Sequence, residues 1–168
     1  MADKFIELDN GKLKQKEATD VSTGVAEAGD LVALDSTGKL DPSLFPTGFG
    51  DDLAVLPASE NLGAGDYVNI FDDGGTPSLR LADNSNGRDA HGFVKTAVTS
   101  GSNASVFFEG ANDALSGLTV GARYYLDTAG GVTTTPPAAP AATISQFVGI
   151  AINATTINTD IDDCIGLV

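Results

Sequence analysis

The chain has no tryptophan, one cysteine, one histidine and one methionine among its 168 residues. The single cysteine, Cys164, excludes an internal disulfide framework and a cysteine-rich zinc site. No apolar run approaches the roughly 20 residues of a membrane-spanning helix, and the polar N-terminus lacks the apolar core of a signal peptide. These absences predict a protein that is made in a cytoplasm and has no membrane partner. At 168 residues the chain is long enough to fold around its own core.

Basic residues are also few, with 9 Lys and Arg against 23 Asp and Glu, for a net charge of −14. Nucleic-acid binding needs a basic surface, so this balance argues against a nucleic-acid partner. Residues 1–16 carry four lysines against three acidic residues, a net charge of +1, which leaves −15 for residues 17–168. This asymmetry suggests two regions with different neighbours, although a need for solubility would explain an acidic body equally simply.

Glycine and proline are plentiful, at 20 and 7 residues, and they interrupt nearly every candidate helical period. The class is therefore predicted to be all-β. We expect two regions: residues 1–52 form an extended N-terminal arm and apolar linker, and residues 53–168 form a compact β domain.

Short runs of strand-forming residues recur through the second region, separated by glycine-rich and Asp-rich turns. The runs are DLAVL, DYVNIF, SLRLA, GFVKTAV, ASVFFEG, ARYYLD, GVTTT, QFVGIAI and TINTDI. Their close spacing favours a sandwich or barrel. Alternation in DYVNIF predicts that Tyr67, Asn69 and Phe71 share one face and that Val68 and Ile70 share the other. ARYYLD and GVTTT are predicted to form a hairpin closed by TAGG.

The first region contains a strand-like run, KFIEL, followed by a segment to about residue 28 with little apolar material. Such a segment cannot offset its own ordering entropy, so we expect it to settle only against a partner surface. LVALD is the next predicted strand. The linker LDPSLFPTGFG is unusually apolar, and it is expected to dock either on its own domain or on a neighbouring chain.

Residues with catalytic or metal-binding chemistry are sparse. His91 and Asp89 lie two residues apart, which on a strand gives a shared face without a relay, and no G-x-S-x-G elbow is present. The acidic turns could hold calcium, but the nearest match, from Asp83, has a misplaced glycine and carries Val94 where a bidentate glutamate belongs. We therefore expect no catalytic residue, no cofactor and no metal, and a protein that is not an enzyme.

The order of motifs in the second region resembles the capsid cement, or head-decoration, proteins of tailed bacteriophages. The matching segments lie within about residues 62–162 and are Gly65–Ile70, Ala90–Val94, Gly110, Gly121–Thr135 and Val148–Ala151. The resemblance implies a small β-barrel or β-tulip-like domain, usually a homotrimer at three-fold sites of the shell. It also implies an N-terminal arm that augments neighbouring capsid subunits.

The sequence thus suggests a structural virion protein on the outer surface of a phage capsid. It would stabilise the expanded shell by bridging neighbouring copies of the major capsid protein. Apolar side chains are expected to make the capsid or inter-subunit contacts: Phe5, Leu13, Leu40, Leu44, Phe45 and Phe49. Lys12, Lys14 and Lys16 are expected to face acidic capsid surface. Each of these residues could equally pack on its own domain or be solvated.

Two alternatives stay open at this point. The first third of the chain also looks like segments of phage tail-fibre proteins, so a tail-fibre or baseplate component that binds a host receptor is the second hypothesis. The third is a hydrolase that uses His91.

Overall fold

The computed structural model describes residues 4–24, 30–45, 50 and 52–168, and the chain divides into two compact units, residues 1–50 and 51–168. The described residues form fourteen strands and one short 3-10 helix, Pro42–Leu44. The predicted all-β class is confirmed.

The first unit begins with an antiparallel hairpin of β1 (Lys4–Asp9) and β2 (Lys12–Glu17). Asn10 and Gly11 form its turn with φ angles of 49° and 75°, which is the type I′ geometry that matches the twist of paired strands. The expectation that the segment after KFIEL, to about residue 28, orders only against a partner surface is wrong for Lys12–Glu17, which forms β2. The Asn-Gly turn and the cross-strand pairing of opposite charges order β2 despite its polar sequence.

The predicted strand LVALD is also absent as a strand in the structure. Val32 makes a single parallel bridge with Thr19, whose N–H donates to the Leu31 carbonyl over 2.8 Å. The chain turns immediately afterwards, because the Asp35 carboxylate accepts hydrogen bonds from the backbone N–H groups of Thr37 and Lys39. The extended segment is therefore too short to form a ladder.

The second unit contains the remaining twelve strands. They are β3 (Leu53–Pro57), β4 (Tyr67–Asp73), β5 (Thr76–Leu81), β6 (Gly92–Val94), β7 (Asn103–Phe107), β8 (Gly110–Asn112), β9 (Arg123–Leu126), β10 (Val132–Thr133), β11 (Ile144–Ser145), β12 (Phe147–Asn153), β13 (Thr156–Thr159) and β14 (Ile165–Gly166). The first sheet has the order β3-β7-β6-β4-β5, the second has the order β10-β9-β12-β13-β8, and β11 pairs with β14.

All nine predicted runs of the second unit contain a strand, and β9 and β10 form the predicted hairpin. Three strands were not predicted, namely β8, β11 and β14. Each has only two or three residues, which is too short to show a period of two.

Both faces of the first sheet are covered, so the second unit has two cores. Tyr67 on β4 packs into one cluster with Leu126 and Ile157 of the second sheet. Val68, the next residue, packs into the other cluster with Leu79. Each of these β4 side chains is fully buried, which confirms the predicted alternation.

No closed barrel occurs in the part of the chain that the structure describes. The first sheet curls until Leu79 on β5 forms one parallel bridge with Ala58, just after β3, and the pairing stops there. The architecture is a curled sheet packed on a second sheet, so the barrel component of the prediction is not realised.

Candidate interaction surfaces

One face of the β1–β2 hairpin carries three exposed apolar side chains alongside three polar ones. The strand register puts Ile6, Leu8 and Leu13 on the same face, where they are 62%, 68% and 76% exposed, respectively. We call these three side chains the hairpin apolar face. Of the three, sequence reasoning had selected Leu13 alone, because the positions of Ile6 and Leu8 beside it depend on the register of a strand that was not predicted.

The described residues of the first unit have no core of their own. Within residues 4–24 and 30–45, no side chain that the structure describes is buried, whereas the second unit has two buried clusters. A two-stranded hairpin is at best marginally stable alone in water. A surface that covers the hairpin apolar face would therefore stabilise the hairpin as well as bind it.

The opposite face of the hairpin carries the predicted lysines together with Phe5, which is half-buried. Lys14 forms an ion pair with Asp9, and Lys16 forms one with Asp30. The hydrogen bond with Asp30 raises the pKa of Lys16 above its ordinary value, although partial desolvation lowers it. Surface ion pairs of this kind contribute little to stability, so partner carboxylates could replace them at small cost.

The predicted linker residues lie around the 3-10 helix. Leu40 is exposed, Leu44 and Phe45 are half-buried, and Phe49 lies outside the described residues. The Ser22 N–H donates to the Ser43 hydroxyl over 2.8 Å, which fastens this helix to the segment after the hairpin. The linker is thus partly packed within the first unit.

His91 has a structural position at the entry of β6. Its Nδ1 accepts a hydrogen bond from the Ile70 N–H over 2.9 Å, just beyond the point where β6 stops pairing with β4. Its Nε2 lies 3.3 Å from the Asp89 Oδ2. No hydroxyl is hydrogen-bonded to either ring nitrogen among the described residues, and the geometry is that of a side chain extending a sheet edge.

Replacing His91 by alanine is expected to lower the free energy of unfolding by about 1 kcal/mol, because the Ile70 N–H loses its acceptor. Urea unfolding followed by circular dichroism measures this change. His91→Asn is the matched variant, since its amide oxygen can accept the same hydrogen bond and should recover part of the loss. A loss above 3 kcal/mol for His91→Ala that His91→Asn does not reduce would contradict this role.

His91 also lies at the rim of an open depression of 740 Å³ in the second unit. Carboxylates dominate its lining: Asp89, Glu109, Asp160, Asp162 and Asp163. Buried Gln146 also lines the depression, and both atoms of its side-chain amide are hydrogen-bonded. Its oxygen accepts from the Ala90 N–H, and its nitrogen donates to the carbonyls of Ala90 and Asp162. Among the described residues, no group of three or more His, Cys, Asp or Glu side chains is arranged to hold a metal ion.

The outer face of the second sheet carries a surface that sequence reasoning missed. The Arg123 guanidinium lies over the Phe147 ring, 4.1 Å from its centroid, and Tyr125 meets the same ring edge-on at 6.0 Å. Ile150 and Ile152 continue this surface along β12 and are exposed. We call these five side chains the arginine–aromatic face. Alternation in ARYYLD indicates that Arg123 and Tyr125 share a face, but the bulge at Phe147–Gly149 that brings Phe147 beside them leaves no trace in the sequence.

No family model and no curated protein matches the chain. Among solved structures, the N base of the head fiber protein gp8.5 of bacteriophage phi29 is similar, with 13% sequence identity and a TM-score of 0.44. The match covers 64% of this chain and 92% of that one. In the parts of the chain that are described, we find no helix with the length and apolar character needed to cross a membrane.

Proposed function

We propose that the chain is a non-enzymatic virion protein that binds the outside of a bacteriophage capsid. It stabilises the expanded shell by bridging neighbouring copies of the major capsid protein, and it does so as a homotrimer. The capsid, the trimer and the outer surface come from the resemblance of residues 62–162 to cement proteins. The structural support is the hairpin apolar face.

This face is the observation that carries the proposal. Ile6, Leu8 and Leu13 are exposed together on an isolated hairpin, in a unit whose described side chains are all at least partly exposed. A contiguous exposed apolar surface marks an interaction site. Among the described residues the hairpin is a sheet of two strands alone, so its outer edges offer backbone groups that a strand of a capsid subunit could extend.

Bridging supplies stability through mass action. A protein that binds only the expanded shell stabilises that state by about 3–4 kcal/mol per site when its free concentration is 100 to 1,000 times its Kd. Three arms joined in one trimer add to this, because the second and third arms bind at a high effective concentration. The acidic body, with its net charge of −15 in residues 17–168, keeps decorated particles apart in suspension.

The double substitution Leu8→Asp with Leu13→Asp is expected to weaken binding to expanded shells at least tenfold, about 1.4 kcal/mol, because it places two charges in the apolar contact. Co-sedimentation of the purified chain with empty expanded shells of the cognate phage measures this. Unexpanded shells serve as the second binding target, and they should bind the unchanged chain weakly.

Leu31→Asp with Leu34→Asp is the matched control. These leucines are 54% and 56% exposed in the same unit, but they lie outside the hairpin, so this variant should bind as the unchanged chain does. Equal binding by both double variants and the unchanged chain would remove the hairpin from the contact. Binding of the unchanged chain to isolated tails or host cells, and not to shells, would favour the tail-fibre alternative.

A further inference from the structure

The arginine–aromatic face has the composition of a protein interface. Arginine, tyrosine and phenylalanine are enriched at the centres of interfaces, where they provide most of the binding free energy. Here Phe147 contacts both Arg123 and Tyr125 on an outer sheet surface, and Ile150 and Ile152 extend it with exposed apolar area. Such a cluster on an outer strand face is typical of a surface that is covered in an assembly.

The charge of Arg123 is not neutralised within the described residues. The second unit has four basic side chains against fourteen acidic ones, and Arg88 is ion-paired with Glu60 at 3.8 Å. Arg80 donates to the Asn69 amide oxygen, and Lys95 is half-buried over a phenylalanine ring. Arg123 is exposed and lies over Phe147 with no carboxylate within 4.0 Å in the described part of the chain. A carboxylate from outside the chain would complete this site.

A surface of complementary character lies at the β3 edge of the first sheet. Leu53 and Val55 share one face of this edge strand, and both are exposed. Asp52 precedes Leu53, and its carbonyl accepts the Phe108 N–H over 3.0 Å, which brings Glu109 close to the start of the strand. We call these four side chains the acidic β3 edge, since two exposed carboxylates lie at the start of a strand that carries two exposed apolar side chains.

We propose that the arginine–aromatic face of one copy binds the acidic β3 edge of a second copy. Arg123 then pairs with Asp52 or Glu109 of the next copy, while the isoleucines of β12 pack against Leu53 and Val55. Because the two surfaces differ, the contact is head-to-tail, which builds a closed ring or an open filament according to the rotation between copies. The closed ring is the form that agrees with the homotrimer, and in this respect the inference rests on the proposed function. The occupant is a copy of the chain because the chain itself carries exposed carboxylates close to exposed apolar side chains, which complement Arg123 and the isoleucines.

Light scattering coupled to size exclusion of the full chain tests this proposal. The unchanged chain is expected at a multiple of 17.0 kDa, and Arg123→Glu is expected at 17.0 kDa. Arg88→Glu is the matched control, because it makes the same charge change at an arginine outside both surfaces and should keep the multimer. A chain that is monomeric at every concentration, or an Arg123→Glu variant that keeps the multimer, overturns the proposal.

A charge exchange tests the pairing itself. Asp52→Arg with Glu109→Arg should also give 17.0 kDa, and combining it with Arg123→Glu should restore the multimer. Failure of the combined variant to recover the multimer overturns the pairing of these two surfaces. Ile152→Asp provides a separate disruption that leaves the Arg123–Phe147 contact intact, and its retention of the multimer would also count against the proposal.

These measurements contain no capsid, and the hairpin apolar face takes no part in them. A monomeric chain that still binds expanded shells would overturn the contact between copies and the homotrimer, and would leave the proposed capsid binding standing. A multimer that does not bind expanded shells would overturn the proposed capsid binding and leave the contact between copies standing.

Discussion

Replacing Gly149 by alanine is expected to lower the free energy of unfolding by about 3–5 kcal/mol, because two penalties combine at this position. A Cβ atom on Gly149 would lie 2.3 Å from the Asn158 carbonyl oxygen and 2.6 Å from the Ile157 Cγ2, both on the neighbouring strand β13. The backbone φ of 149° also lies in a region that side-chain-bearing residues rarely adopt. The neighbours are a strand backbone and a fully buried side chain, so neither can move aside without breaking the ladder.

Two glycines separate these penalties. Gly121 has a φ of 77° but open space around it, so Gly121→Ala should cost about 1 kcal/mol from backbone strain alone. Gly166 has open space and no unusual φ, so Gly166→Ala should change stability little. Chemical denaturation of the three variants measures the differences. A Gly149→Ala variant no less stable than Gly121→Ala would show that the strands are not packed as described.

Alkaline solution is expected to destabilise the second unit through Tyr67. Burial raises the pKa of Tyr67 to about 12, and the hydrogen bond with Thr159, 3.0 Å from the phenol oxygen, only partly opposes this rise. In the unfolded chain the same phenol has a pKa of about 10. Between these values the unfolded chain loses a proton that the folded chain keeps, so the free energy of unfolding falls as pH rises, by about 3 kcal/mol in total.

Tyr67→Phe isolates this contribution, because it keeps the ring and removes the hydroxyl group. At neutral pH the variant should lose about 1 kcal/mol with the Thr159 hydrogen bond. Between pH 10 and pH 12 the gap between the variant and the unchanged chain should close and then reverse. Denaturation at stepped pH measures this, with Tyr125→Phe on the outer sheet face as the control. Parallel curves for the unchanged chain and Tyr67→Phe would contradict the prediction.

The sequence was informative about the second unit for a physical reason. Most of its strands carry buried residues and are separated by turns at regular spacing, so the alternation of Tyr67 and Val68 and the hairpin of β9 and β10 could be predicted from local sequence. The curl of the first sheet was not readable, because it depends on a bridge between Ala58 and Leu79, which are distant in the chain. The strands β8, β11 and β14 were not predicted because two or three residues are too few to show the two-residue alternation of a strand.

The interaction surfaces were harder to predict. In the first unit, Asn10-Gly11 signals a hairpin turn, but the polar composition of the following segment predicts order only against a partner surface. Without β2 there was no register, and without the register Ile6 and Leu8 could not be placed beside Leu13. The arginine–aromatic face could not be predicted for a related reason. A bulge in β12 places Phe147 beside Arg123, and this bulge has no signal in the sequence.

The position of β4 between the two cores couples the stability of one core to that of the other. Tyr67 and Val68 are adjacent in the chain, yet each anchors a different cluster. If either cluster loosens, β4 shifts and the packing on its far side is lost with it. The second unit should therefore have no partly unfolded form and should unfold in a single cooperative step.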